Sequence, residues 1–308
     1  MSNCYLNHRL TGIVMSDIPV GFIGLGVMGE PMCRNLRERS GHRVLAFDLN
    51  PEPLHRLAEY KVEAAKSAAD VMRKCDVVFV SLPSGKQLEK LVNGRSGLLK
   101  NARAGQIVVD LGTSPVALTR QLAATFAKRK VDYLDAPVAR TRQAAESGTL
   151  AVMVGGDDAV LKRVHPLMEC FATEITHCGG IGTGQVTKIL NNMVLFQTVV
   201  ALSEAYAIAQ GAGCNPEVLF EALSKGSADS FALRNHGMKA ILPREFPQRA
   251  FSVEYALKDL GYALELASDG KVDAAGARNV RSVFKRAIKA GAGEQYFPVV
   301  SRILNREI

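Results

Sequence analysis

Lys188, Asn191 and Asn192 close the stretch Gly184-Gln185-Val186-Thr187-Lys188-Ile189-Leu190-Asn191-Asn192. On an α-helix, spacings of three and four bring all three side chains to one side. Two carboxamides beside a lysine, at the start of an otherwise apolar run, are poorly explained by packing. An ammonium in the first turns of a helix also faces the positive end of the macrodipole, which disfavours its charge and moves its pKa down. An amine that exchanges a proton near neutrality is a candidate general acid–base group. The competing reading is a snorkelling lysine with two solvated or capping asparagines.

A second constellation lies near the start of the chain. Gly24-Leu25-Gly26-Val27-Met28-Gly29 follows a short apolar run at 20–23 and precedes a helical pattern through Leu36. Asp48 ends the next apolar run, at 43–47, and lies nineteen residues after Gly29. Between a strand and a helix, with an acid at that distance, G-x-G-x-x-G is a dinucleotide-binding signature. Gly24 permits the tight turn, Gly26 lets the backbone approach a pyrophosphate, and Gly29 allows close helix–strand packing. The phosphates then meet the helix N-terminus. Asp48 is suited to accept hydrogen bonds from the adenosine ribose and to repel a 2′-phosphate. NAD(H) is therefore the preferred cofactor, with NADP(H) as the other option.

The elements needed to position these groups are legible in the apolar pattern. Further strands are expected at 77–80, 107–109, 131–134 and 151–154, most of them separated by helix-length segments, which implies a doubly wound, mostly parallel sheet. After about residue 183 the pattern becomes almost entirely helical. A long helix at 184–210 is stopped by Gly211-Ala212-Gly213, and helices at 216–223, 253–268 and 278–290 follow. The expected organisation is an irregular tail at 1–18, an α/β Rossmann domain at 19–183, and an all-α substrate and oligomerisation domain at 184–308 joined by the long helix.

Composition bounds the alternatives. The chain has 308 residues, 47% hydrophobic and 22% charged, which is globular and not disordered or fibrous. The net charge of +8 is dispersed, and the series Arg278, Arg281, Lys285, Arg286, Lys289 has the spacing of a solvated helix face. Basic residues are not interleaved with aromatics as a nucleic-acid surface requires. Small anions are the better partners. The apolar run at 193–209 carries Gln197, Ser203 and Glu204 and is expected to be a buried helix that falls short of a membrane span. Six cysteines without a C-x-x-C pair suggest reduced thiols in a cytoplasmic protein, and the six histidines show no metal-ligand spacing. Asp157-Asp158 reads as a solvated turn.

Five landmarks in order resemble the β-hydroxyacid dehydrogenase family, which includes 3-hydroxyisobutyrate dehydrogenase and 2-hydroxy-3-oxopropionate (tartronate semialdehyde) reductase. They are Gly21 through Gly29, Leu82-Pro83, Asp135-Ala136-Pro137-Val138, the Gly184–Asn192 stretch, and Lys258-Asp259-Leu260. The resemblance runs from about residue 20 to near the C-terminus. It implies NAD(P)-dependent hydride transfer between a small 3-hydroxy acid and its semialdehyde. It also implies that Lys188 is the catalytic lysine and that Asn192 helps hold the substrate and the lysine. Thr113 would meet the nicotinamide ribose, Leu82 and Pro83 would line the cofactor cleft, and Lys258 would close over the cofactor. A homodimer or homotetramer is the implied assembly.

One departure bears on the substrate. Where the family usually shows Ser-Gly-Gly, this chain has Ala139-Arg140-Thr141. Loss of two glycines is expected to remove a backbone nest, while Arg140 offers a guanidinium able to grip an anion bidentately. The loop is similar to that of sulfolactaldehyde reductase in the same family, so a sulfonate-bearing aldehyde is the alternative substrate. Asn191 is a further candidate substrate contact, and Phe231 is expected to wall the pocket. A non-catalytic nucleotide-binding interaction module is the alternative of another class.

Overall fold

The computed structural model describes residues 19–248 and 250–308. The tail at 1–18, with Cys4 and His8, lies outside the described residues.

Among the described residues, nine strands form one sheet: β1 Val20–Ile23, β2 Val44–Phe47, β3 Glu63–Ala64, β4 Val77–Val80, β5 Ile107–Asp110, β6 Asp132–Asp135, β7 Val138–Ala139, β8 Leu150–Gly155 and β9 Ala172–Gly179. Their order is β3-β2-β1-β4-β5-β6-β8-β7, with β9 also paired to β8. The six strands from β3 to β6 are mutually parallel, and the order reverses between β1 and β4. That reversal opens a crevice at the carboxyl ends of the strands, the binding position of open α/β sheets. β1, β4 and β5 are nearly continuous Val, Ile and Phe because helices cover both faces. Those helices are α1 Gly29–Ser40, α2 Glu52–Ala58, α3 Ala68–Lys74, α4 Gly85–Asn93, α5 Leu98–Asn101, α6 Val116–Ala127, α7 Arg142–Ser147 and α8 Asp158–Met168.

The expected doubly wound, mostly parallel sheet is present, with additions. β6 and β8 pair antiparallel, as do β7 and β8, so the chain from Asp132 to Ala139 folds back on β8 beyond the parallel sheet. β3 and β7 have two residues each, too few to show a periodicity. β9 was not anticipated, because its sequence Ala-Thr-Glu-Ile-Thr-His-Cys-Gly is polar and partly exposed, as suits an outer strand. Asp157 does more than form a solvated turn: its Oδ1 accepts from Ala159 N at 2.7 Å and caps α8.

From Thr183 onward the chain is helical. α9 Thr183–Gly211 is followed by α10 Pro216–Leu223, a π-helix at Leu233–Ile241, α11 Val253–Asp269, α12 Ala275–Lys289 and α13 Val300–Leu304. The π-helix escapes an apolar-pattern reading because Asn235, His236 and Gly237 interrupt it. α9 extends one residue beyond the expected range at each end, and by length and composition alone it is apolar enough to cross a membrane. Here it serves as a core helix. Phe196, Val199, Val200, Leu202 and Tyr206 bury one side of it against α11, α12 and α13, with Phe196 meeting Phe251, Phe284 and Phe297. Its N-terminal turns lie against β8 and β9, so the same rigid rod reaches both the sheet and the helical core.

Candidate active site

The glycine loop crosses the carboxyl end of β1. Gly24 has φ +92°, and a Cβ there would meet Ser81 O at 2.2 Å. A Cβ on Gly29 would meet Gly24 O at 2.0 Å, so α1 starts in direct contact with the turn. Around a Cβ on Gly26 there is nothing within 4 Å. Two glycines thus exist for close packing and the third for open access, which fits a pyrophosphate resting on the loop at the start of α1. Val27 is exposed and Met28 half-buried beside it. Asp48 Oδ2 accepts from Leu25 N at 2.6 Å, and its Oδ1 accepts from Asn50 N at 2.8 Å. The acid at the tip of β2 is therefore docked on the glycine loop, where an adenosine ribose would lie.

Across the crevice, α9 begins without a side-chain cap of its own. The cap comes from β6: Asp135 Oδ1 accepts from Gly182 N at 2.7 Å and Oδ2 from Gln185 N at 2.8 Å. Gly184 is packed so tightly that a Cβ would meet Met153 O at 2.3 Å. A carboxylate at a helix N-terminus satisfies free N–H groups and complements the dipole. Burial still pushes Asp135 up from the ordinary carboxylate range. Abreast of it in the sheet, Asp110 accepts from Gly112 N at 3.0 Å and from Tyr133 Oη at 3.3 Å. Burial, with the Asp135 charge, pushes its carboxyl up to about 7. Asp110 thereby supports the segment 111–114, which carries the buried Thr113.

Lys188, only 8% exposed, lies in the second turn of α9. Its pKa is brought down to about 8, chiefly by burial; the Asp259 carboxylate opposes the shift and the neighbouring Lys258 ammonium adds to it. The direction is the one expected from the sequence, but its main cause is desolvation, a property of the tertiary surroundings. Asn192 Nδ2 donates to Asp259 Oδ2 at 2.8 Å, and Asn191 Nδ2 donates to Asn192 Oδ1 at 3.2 Å. Lys258 Nζ lies 3.1 Å from Asp259 Oδ1 and donates to Pro83 O at 2.7 Å. It also sits 3.9 Å above the Tyr255 ring centre. A cation on α11 thereby bridges the crevice to the Leu82-Pro83 turn after β4.

Asp259 is the residue of this cluster to which the sequence reading assigned no role. It is buried, hydrogen-bonded to Asn192, salt-bridged to Lys258 and coupled to Lys188. Burial raises its pKa while both lysines lower it. Its signal was present, since an acid beside Lys258 in an amphipathic helix has few uses in a core, but the partner on α9 lies 67 residues away in sequence.

Two expected substrate contacts stand differently. Arg140 Nη1 donates to Thr149 O at 2.5 Å and to Thr173 Oγ1 at 3.1 Å, with Glu174 4.0 Å from Nη2. In this structure the guanidinium is engaged by the ends of β8 and β9 through Nη1, its nearest partners being protein groups. Its backbone has φ +85°, the left-handed region that glycine favours. Arg140 thus holds a backbone conformation that glycine usually supplies, despite its side chain. Phe231 is 54% exposed just before the π-helix, with its ring against His236.

Residues 19–180 match the model of the NAD-binding domain of 6-phosphogluconate dehydrogenase, and residues 182–303 match that of the NAD-binding domain of NADP-dependent 3-hydroxyisobutyrate dehydrogenase. The chain belongs to the β-hydroxyacid dehydrogenase family. It is 32% identical to 2-(hydroxymethyl)glutarate dehydrogenase of Eubacterium barkeri over 93% of this chain and 95% of that protein. It is 36% identical to 2-hydroxy-3-oxopropionate reductase of Escherichia coli, covering 80% of this chain and 84% of that one. Among solved structures, Mycobacterium tuberculosis 3-hydroxyisobutyrate dehydrogenase with L-serine superposes with a TM-score of 0.85 at 30% identity, covering 93% of this chain and 99% of that one. This β-hydroxyacid dehydrogenase is an NAD(P)-dependent enzyme, which sets aside the non-catalytic interaction module.

Proposed function

We propose that the enzyme interconverts a 2-substituted 3-hydroxy acid, HOCH2–CHX–COO⁻, and its semialdehyde, with NAD(H) as the preferred cofactor. The observation that carries this reading is the buried Lys188 amine, brought down to about 8 and acted on by the charges of Asp259 and Lys258, with Asn192 bonded to that same Asp259. The named substrates of the relatives support the class, because serine, 3-hydroxyisobutyrate and 2-(hydroxymethyl)glutarate all carry a primary hydroxyl β to a carboxylate.

Gly24 through Gly29 would hold the pyrophosphate, Asp48 the adenosine ribose, and Leu82, Pro83, Thr113 and Lys258 the nicotinamide half. When bound, the cofactor accepts hydride from, or supplies it to, the carbon bearing the reacting oxygen. Neutral Lys188 takes the hydroxyl proton in oxidation, and its ammonium returns a proton to the forming alkoxide in reduction. Asn192 and Asp259 hold the amine and tune its charge. Asn191 and the backbone of Ala139, Arg140 and Thr141 face the substrate carboxylate, and Phe231 covers the pocket when substrate binds. We further infer a cytoplasmic homodimer or homotetramer, with residues 19–183 holding the cofactor and residues 184–308 completing the substrate site.

A sulfonate-bearing aldehyde is the second reading, favoured by Arg140 in the substrate loop. Its guanidinium already has protein partners, which supports the carboxylate reading. A turnover screen with L-serine, 3-hydroxyisobutyrate, 2-hydroxy-3-oxopropionate and sulfolactaldehyde tests both. Carboxylate turnover that survives Arg140→Gly and vanishes in Lys188→Ala is expected. Sulfonate turnover that collapses in Arg140→Gly would overturn the carboxylate assignment.

A further inference from the structure

Gln185 is fully buried, one turn before Lys188 on the same helix. Its carboxamide reads the backbone on both sides of Thr113: Oε1 accepts from Ser114 N at 3.0 Å and Nε2 donates to Gly112 O at 2.8 Å. Its own backbone N is held by Asp135. The opposite edge of the same segment is held by Asp110, which accepts from Gly112 N. Donor and acceptor are used together, and a primary amide is the side chain that supplies one of each in a fixed planar arrangement. This is a direct coupling between the loop after β5 and the helix that carries the amine.

We propose that Gln185 is a positioning residue that sets the register between Thr113 and Lys188, and so between the nicotinamide and the amine that moves the proton. The inference rests on the functional reading above. Hydride transfer and proton transfer must act on the same substrate carbon and oxygen. Misplacement of one group by about 1 Å can cost about 10²-fold in rate. A hydrogen-bonded link one turn from the amine controls that distance without touching the substrate.

Two substitutions test the proposal. Gln185→Met keeps the volume and removes both hydrogen bonds. Gln185→Glu keeps the shape, but its ionised form has no donor for Gly112 O, whereas its protonated form has one donor and one acceptor, as glutamine does. NADH and whichever of L-serine, 3-hydroxyisobutyrate or 2-hydroxy-3-oxopropionate the wild type turns over fastest serve as probes. Measured are kcat, both KM values, the NADH dissociation constant and the melting curve. Gln185→Met is expected to lower kcat about 10- to 100-fold with substrate KM changed less than about threefold. The ratio of Gln185→Glu to wild-type kcat should rise as pH falls from about 8 to 5.5, as its carboxyl takes up a proton. A cooperatively melting Gln185→Met enzyme with kcat within about twofold of wild type would overturn the proposal. So would a pH-independent ratio for Gln185→Glu, which decides the matter if the methionine variant does not fold. Turnover that persists in Lys188→Ala would overturn the functional reading and, with it, the register as the purpose of the link. Lys188-dependent turnover that is indifferent to Gln185 overturns the register alone.

Discussion

Asn192 Nδ2 and Asp259 Oδ2 lie 2.8 Å apart in the buried seam between α9 and α11. That contact joins the helix bearing Lys188 to the helix bearing Lys258, and the Asp259 charge acts on both lysines. With the Lys258–Pro83 hydrogen bond, it carries the connection across the crevice to the sheet. The site is therefore a set of charges whose strengths depend on each other, and its pH behaviour follows from their order of influence.

Lys188 has its pKa at about 8, below the ordinary lysine value. In the proposed mechanism oxidation uses the neutral amine, so kcat for oxidation should rise with pH through about 8 and level above it. Reduction needs the ammonium and should fall over the same interval. Lys188→Ala should lower turnover by about 10² to 10⁴ in both directions and abolish that transition in a pH–rate profile.

Asp259 holds the Lys188 pKa up against burial. Asp259→Asn should accordingly move the pH–rate midpoint below the wild-type value and lower the reduction rate most at neutral pH, because less of the amine is protonated there. An unchanged or higher midpoint in steady-state profiles would contradict the charge order described here.

The glycine loop separates folding from binding. Gly29→Ala places a Cβ 2.0 Å from Gly24 O and should destabilise the fold by about 2 kcal/mol, read from urea unfolding. Gly26→Ala meets nothing within 4 Å and should leave stability within about 0.5 kcal/mol of wild type. Titration of NADH fluorescence should nevertheless show weakened binding for Gly26→Ala, since its Cβ occupies the open side of the loop.

His236 is buried among Phe231, Tyr296 and Phe297, with Nδ1 2.5 Å from Tyr296 Oη. Burial lowers its pKa to about 4. Between its ordinary value and about 4, the unfolded chain binds a proton that the folded chain does not, so stability falls as pH falls through that window. The linked loss is up to about 3 kcal/mol, complete near pH 4. Denaturant midpoints measured from pH 7 to 4 should show this slope in the wild type and a shallower one in His236→Gln.

The parallel strands, the glycine loop with its acid, the long helix and the lysine–asparagine face were legible in the sequence because each is a local pattern. An apolar run buried on both faces, a turn that tolerates no Cβ and a spacing of three and four are written within about thirty residues. The short strands β3 and β7 carry too few residues for a pattern, and β9 is too polar for one. Arg140 was legible as a residue type, but the direction of its guanidinium was set by Thr149 and Thr173, brought beside it by the pairing of β7, β8 and β9.

What only the tertiary structure decided are the interactions that join distant segments. Asp135 bonds the N-cap residue of a helix 47 residues later, Gln185 clasps a loop more than seventy residues earlier, and Asp259 reaches Asn192 across 67 residues. Residue type sets what each side chain can donate, accept or ionise. Burial decides how strongly it does so, and burial belongs to the packed whole. Lys188 shows both: its place on a helix face is set by spacing in the sequence, and its pKa near 8 by the low-dielectric seam into which α9 carries it.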